Sequence, residues 1–125
     1  MIYYRSRLPT MPKNIKRPSL IQGTLDLLIL RTLLFGPCHG HGIAKHIQRT
    51  SEDVLQVEHG SLYPALRRLE DSGCIGSKWE ATDSGRDMRF YRLTPKGRKQ
   101  LSIEESHWQE LADAMARMLR AVRNT

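Results

Sequence analysis

The chain is predicted to be mainly α-helical with one small β-hairpin, on three observations. Apolar residues recur at helical spacing over three short segments between positions 20 and 72. The pattern then switches to alternation of period two between residues 75 and 93. A single long helical stripe fills the remainder.

The first element opens near Ser19, which with Gln22 makes a capping-box pattern ahead of an apolar run. Leu25, Leu28, Ile29 and Leu33 put apolar side chains on most faces, as a buried central helix requires. Gly36-Pro37 ends it after Phe35. A second helix fits Ile43 to about Ser51, with Ile43, Ala44 and Ile47 inward and Lys45, Gln48 and Arg49 outward. A third fits HGSLYPALRRLEDSG, in which Leu62, Leu66 and Leu69 form one inward stripe. Pro64 is expected in its first turn, where the missing N–H leaves no bond unmade, and Gly73 is placed to end it.

Ile75, Ser77, Trp79 and Ala81 then alternate with Gly76, Lys78 and Glu80. After TDSGRD, the segment MRFYRL alternates again. Two strands joined by a polar, Gly-containing loop make a hairpin, with Trp79 as its packing residue. Thr94 caps the last helix with Pro95 at its first position, and the helix is expected to reach about Val122. Three compact helices, a hairpin and a long helix are the order of a winged helix-turn-helix. In that arrangement the third helix enters the major groove of DNA.

Charge and composition agree with a nucleic-acid partner. The net charge is +7 over 125 residues, and Arg5, Arg7, Lys13, Lys16 and Arg17 precede the first acid, Asp26. With Pro9, Pro12 and Pro18, residues 1–18 read as a basic flexible arm, which either touches nucleic acid or is solvated. The DNA-binding unit is expected at 19–94 and a dimerisation helix at 95–125. The apolar run at Leu25–Phe35 is interrupted by Asp26, Arg31 and Thr32, and falls far short of the roughly 20 residues a membrane span needs. No signal peptide is read, and Cys38 and Cys74 form no spaced framework, so reduced thiols in a cytoplasm are expected. No phosphate-binding loop or nucleophile–base set can be assembled, which argues against an enzyme.

Projecting the third helix at about 100° per residue puts Ser61, Pro64, Arg67, Arg68 and Asp71 outward, with Tyr63 at the border. Two arginines there suit phosphate pairing and guanine-edge readout. Beside Glu70 and Asp71 they also fit a solvated face with local ion pairs. The hairpin adds Lys78, Arg86, Arg89 and Arg92, of which Lys78, Arg86 and Arg89 are candidate DNA contacts.

Along the long helix Leu101, Trp108, Met115 and Val122 recur every seventh residue, Leu111 and Met118 take the offset position, and Ala112 and Leu119 widen the stripe. A body this small does not cover so long a helix, so a second copy of the chain is expected against it. Trp108 is then either an interface anchor or the wall of a pocket for a flat aromatic ligand.

At this point the chain resembles the PadR-like transcriptional regulators, in their short form with one C-terminal helix, over about residues 20 to 122. The most specific piece is EHGSLYPALRRLEDSGCI (58–75). GTLDLLILRTL (23–33), GPCHGHGIAKHI (36–47), the strand with Trp79 and FYRLTPKGRKQL (90–101) follow the family in the same order. The resemblance implies a cytoplasmic, dimeric winged-helix repressor without catalytic residues, cofactor or required metal. It places Ser61, Tyr63 and the arginine pair on the DNA-facing helix, and Arg86 and Arg89 on the wing. It also implies a small aromatic or drug-like effector, bound in some members at the dimer centre. Where the family has His-Gly-Tyr, this chain has His39-Gly40-His41. The stretch CHGHG (38–42) offers a thiol and two imidazoles, ligands that Zn²⁺ prefers. Its alignment makes it the turn between the first two helices, with Gly40 and Gly42 giving the backbone freedom. A metal-responsive repressor using Cys38 and His41 is one alternative, and a sequence-neutral architectural DNA binder is another.

Overall fold

The computed structural model describes residues 22–121. The expected cap at Ser19, the arm at 1–18 and Val122 lie outside them. In chain order the elements are α1 (Gln22–Leu33), β1 (Cys38–His39), α2 (Gly40–Thr50), α3 (His59–Asp71), β2 (Ile75–Ala81), β3 (Asp87–Leu93) and α4 (Pro95–Arg120).

The centre of the body is α1, which packs against α2, α3 and α4. Ile29 and Leu30 of α1 meet Ile43 of α2 and Leu62 and Leu66 of α3 in a core that excludes water. Thr32 is buried among them, with its hydroxyl donating to the Leu28 carbonyl at 2.8 Å. The fold is the expected one, a mainly helical winged helix with a long C-terminal helix, but its sheet has a third strand. β1 pairs antiparallel with β3 through Cys38↔Tyr91 and His39↔Phe90, which gives the order β1-β3-β2. β2 and β3 pair from Ile75↔Leu93 to Ala81↔Asp87.

The stretch CHGHG is therefore not a turn. Cys38 and His39 are strand, and α2 begins at Gly40, three residues earlier than expected. His39 is its N-cap, where Nδ1 accepts from the Gly42 N–H at 3.0 Å. Gly40 and Gly42 lack the positive φ that backbone freedom would use; among the described glycines only Gly36, Gly73 and Gly85 have it. Their service is close approach. A Cβ on Gly40 would meet the Tyr63 hydroxyl at 2.8 Å, and one on Gly42 the Cys38 Sγ at 2.6 Å.

Gly73 ends α3 as expected, with a left-handed φ of 81°. The Gly73 N–H donates to the Glu70 carbonyl and the Cys74 N–H to the Leu69 carbonyl, the paired bonds of a Schellman end. Pro64 is a correction. It is the sixth residue of the helix, beyond the first turn, so the Gly60 carbonyl loses its helical donor. At the root of α4, Thr94 Oγ1 accepts from the Gly97 N–H at 3.0 Å and lies 2.6 and 2.9 Å from the Gly73 and Cys74 carbonyls. Lys96 Nζ donates to the Ser72 carbonyl at 2.5 Å. The start of α4 is thus tied to the end of α3.

Leu101 is also a correction. It is 3% exposed and belongs to the core of its own chain, so it offers no surface to a second copy. Past it the large apolar side chains of α4 are open, and Trp108, Leu111, Met115, Met118 and Leu119 are all exposed, Met118 at 74%. Among the described residues no helix is long and apolar enough to cross a membrane.

Candidate nucleic-acid interface

The inward stripe of α3, Leu62, Ala65, Leu66 and Leu69, is buried, which turns Ser61, Tyr63, Pro64, Arg67 and Asp71 to solvent. Four of the five outward positions expected from the projection fall there; Arg68 does not. Its Nη2 lies 3.1 Å from Asp26 Oδ1 of α1, and its Nε is buried without a partner. Arg68 therefore fastens α3 to α1 while Arg67 projects outward. Burial pushes the Asp26 carboxyl above its ordinary range, and it outweighs the opposing pull of the Arg68 guanidinium.

The wing is held against α3 by a closed set of three side chains. Arg89 Nη2 donates to Glu70 Oε1 at 2.9 Å, Arg89 Nε donates to Ser77 Oγ at 2.9 Å, and Ser77 Oγ donates to Glu70 Oε2 at 2.5 Å. The same guanidinium lies over the Tyr91 ring at 5.7 Å. Burial raises the Tyr91 phenol above its ordinary value, so that contact joins a cation to a neutral ring. Lys78 pairs with Glu80 at 3.3 Å and stays exposed. Arg86 is exposed in the hairpin turn, where Gly85 has φ 82° and the Thr82 N–H donates to the Arg86 carbonyl.

The structure thus brings Ser61, Tyr63, Pro64 and Arg67 onto one open helix face and puts Arg86 and Lys78 on the wing. Arg68 and Arg89 are engaged within the chain. Trp79, expected to pack the hairpin, is instead 65% exposed. Its alternation with Ser77 and Ile75 fixes which side of the sheet it occupies, but α3 covers only the inner end of that side.

Burial also raises the Cys38 thiol, which disfavours the thiolate that metal binding needs. Among the described residues no three His, Cys, Asp or Glu side chains are grouped to hold a metal ion. The imidazoles of His39 and His41 instead stack, 6.4 Å apart and 5° from parallel.

Helix, turn and helix backed by a three-stranded wing, with Arg67 on the open face of α3, define a winged-helix DNA-binding protein. The comparisons make the class specific. The profile of the transcriptional regulator PadR-like family matches residues 29–103, and the chain belongs to that family. It is 38% identical over 91 residues to a transcriptional regulator of Mycobacterium tuberculosis, covering 73% of this chain and 81% of that protein. A PadR family transcription regulator from Clostridium difficile superposes with a TM-score of 0.66 at 31% identity, covering 76% of this chain and 97% of that one. One from Eggerthella lenta gives 0.69 at 31% identity, covering 81% and 86%. The chain is accordingly a DNA-binding transcriptional regulator and not an enzyme.

Proposed function

We propose that the protein is a homodimeric repressor that grips a pseudo-palindromic operator, with α3 in the major groove and the wing on the flanking backbone. One observation carries the reading: the outward face of α3 presents Ser61, Tyr63, Pro64 and Arg67 together, while the apolar stripe of α4 is left uncovered. Two copies joined along α4 place two such faces on one duplex, which is how helix-turn-helix dimers read paired half-sites. Phosphate contacts supply most of the affinity, and base edges met by Arg67 supply the discrimination.

A groove of about 180 Å³ between α1 and α4, lined by Thr24, Leu27, Glu104, His107, Trp108 and Leu111 among others, supports the effector side of the reading. A flat aromatic effector seated against Trp108 would shift α4 in the dimer and change the spacing of the two α3 helices, releasing DNA. Trp108→Ala dimers that keep both DNA affinity and every effector response would remove that part of the proposal.

The test is a titration against the DNA upstream of the protein's own gene, with a shuffled duplex alongside, at two salt concentrations. A preference of about a thousandfold for the native duplex supports operator recognition. Equal binding to both, lost together as salt rises, supports the architectural alternative.

A further inference from the structure

The surface between wing and helices holds a second feature. β1 stops at His39 opposite Phe90, and the chain then swings into α2. Among the described residues, the outer half of β3, from Asp87 to Arg89, therefore has β2 on one side and no strand on the other. The N-terminal half of α3 stands across the gap, and the result is an open cleft of about 350 Å³.

Its lining is unusual for a protein surface. Trp79, Tyr63 and Met88 supply apolar faces, the His41 imidazole supplies a hydrogen-bonding edge, and no carboxylate is among the described lining residues. The rim continues as a row of rings. His41 meets His59 edge to face at 6.2 Å, and His59 meets Tyr63 edge to face at 5.9 Å. Trp79 is the anomaly. Its cross-strand partner is Arg89, whose guanidinium is taken up by Glu70 and Ser77 and so does not cover the indole. A large apolar side chain left open beside hydrogen-bond donors suits an occupant with a C–H face and an anionic oxygen.

We propose that this cleft seats one sugar–phosphate step of the DNA backbone, with deoxyribose against the Trp79 indole and the phosphate at the rim formed by His41, His59 and Tyr63. The inference rests on the reading that α3 and the wing face DNA, since a duplex that touches both must cross the gap between them. The seat fixes the depth and register of α3 in the groove and carries no sequence information. His41, His59 and Trp79 thereby join the contact surface.

Full-length protein and a dye-labelled duplex of mixed sequence at low salt test it. Duplex anisotropy reports binding, and the difference in tryptophan emission between the wild type and Trp79→Phe isolates the indole in the cleft. The expected result is a Trp79 signal that changes in step with binding. Trp79→Ala, checked for fold by circular dichroism, should weaken binding about tenfold on every duplex alike, with Trp79→Phe retaining most of the affinity. Duplex bound with Trp79 emission and Trp79→Ala affinity both unchanged overturns the seat and leaves the DNA-binding function standing. Absence of binding to any duplex overturns both. A Trp79 response to the aromatic anion 1-anilinonaphthalene-8-sulfonate, with none to DNA, assigns the cleft to a free ligand and also overturns the seat.

Discussion

Glu70 of α3 and Arg89 of β3 meet at 2.9 Å across the gap between helix and wing, and Ser77 closes the contact from β2. A carboxylate that holds the wing's arginine also withholds it from phosphate. Two consequences compete when Glu70 is neutralised: the wing loosens, and one negative charge leaves the surface proposed to face a polyanion. The charge effect should decide affinity at low salt, because phosphate neutralisation dominates non-specific binding. Glu70→Gln is therefore expected to bind mixed-sequence DNA severalfold tighter at low salt while discriminating less well between native and shuffled duplexes. Lower affinity on both would mean that wing placement outweighs the released cation.

The adjacent arginines should separate cleanly. Arg67→Ala removes an exposed side chain, so stability should stay within about 0.5 kcal/mol while DNA affinity falls about tenfold or more. Arg68→Ala strands Asp26 without its partner and should lower unfolding free energy by about 1 to 2 kcal/mol, with DNA affinity affected mainly through folding. Urea unfolding and DNA titration of the two variants side by side check both halves.

Asp26 also gives stability a pH dependence of defined sign. Its carboxyl ionises above the ordinary value of 3.8 in the folded chain, because burial outweighs Arg68 and Glu104 adds a like charge. Across that interval the folded state holds more protons than the unfolded one, so this group's contribution falls as pH rises through it. Asp26→Asn removes the titration. The stability of wild type minus that of the variant should decline as pH rises from about 3.5 and then level off towards neutrality. A difference that grows with pH over this range would show Arg68 prevailing over burial.

Gly97 is expected to be intolerant. A Cβ there would drive into the carbonyl oxygen of Cys74 and meet Leu93 Cδ1 at 2.8 Å, and the backbone atom has nowhere to go. Gly97→Ala should cost about 3 kcal/mol or more. Gly23→Ala, with nothing among the described residues within 4 Å of the added carbon, should stabilise α1 by up to about 1 kcal/mol. Thermal melts of the pair give the contrast directly.

Met115 lies midway along the uncovered part of α4. Met115→Glu puts a charge in the stripe that a second copy would cover, and sedimentation should report a monomer whose DNA binding is no longer cooperative. An unchanged sedimentation coefficient in both proteins would place any dimer contact elsewhere.

Much of this architecture could be read from residue order because its signals are local. The alternation from Ile75 to Ala81, the Thr94-Pro95 cap and the Leu62–Leu66–Leu69 stripe each depend on spacing alone, and each stands where expected. The failures share a different cause. A two-residue strand such as Cys38–His39 has no period to detect, and an imidazole N-cap lies outside the usual Ser, Thr, Asp and Asn. Arg68 and Arg89 were legible as cations, but the acids that engage them lie 42 and 19 residues away. Leu101 fits the seven-residue repeat of α4 perfectly well, yet periodicity does not tell where the body ends and the free helix begins. Trp79 fits its strand equally well; what was missing was the gap beside β3.

The ties from Thr94 and Lys96 to residues 72–74 make the end of α3 and the root of α4 a single joint. From that joint α4 extends about 39 Å at the usual helical rise, so it is a rigid arm with α3 fixed to its base. In the proposed dimer, the distance between two half-sites and the identity of the bases read at each become separate inheritable quantities. Changes along the outer stripe of α4 would then re-space the two proposed copies on DNA while α3 keeps the same outward face, and changes on that face would re-address the protein without disturbing how copies meet. A lineage built on this joint can move to a new operator by one kind of substitution at a time.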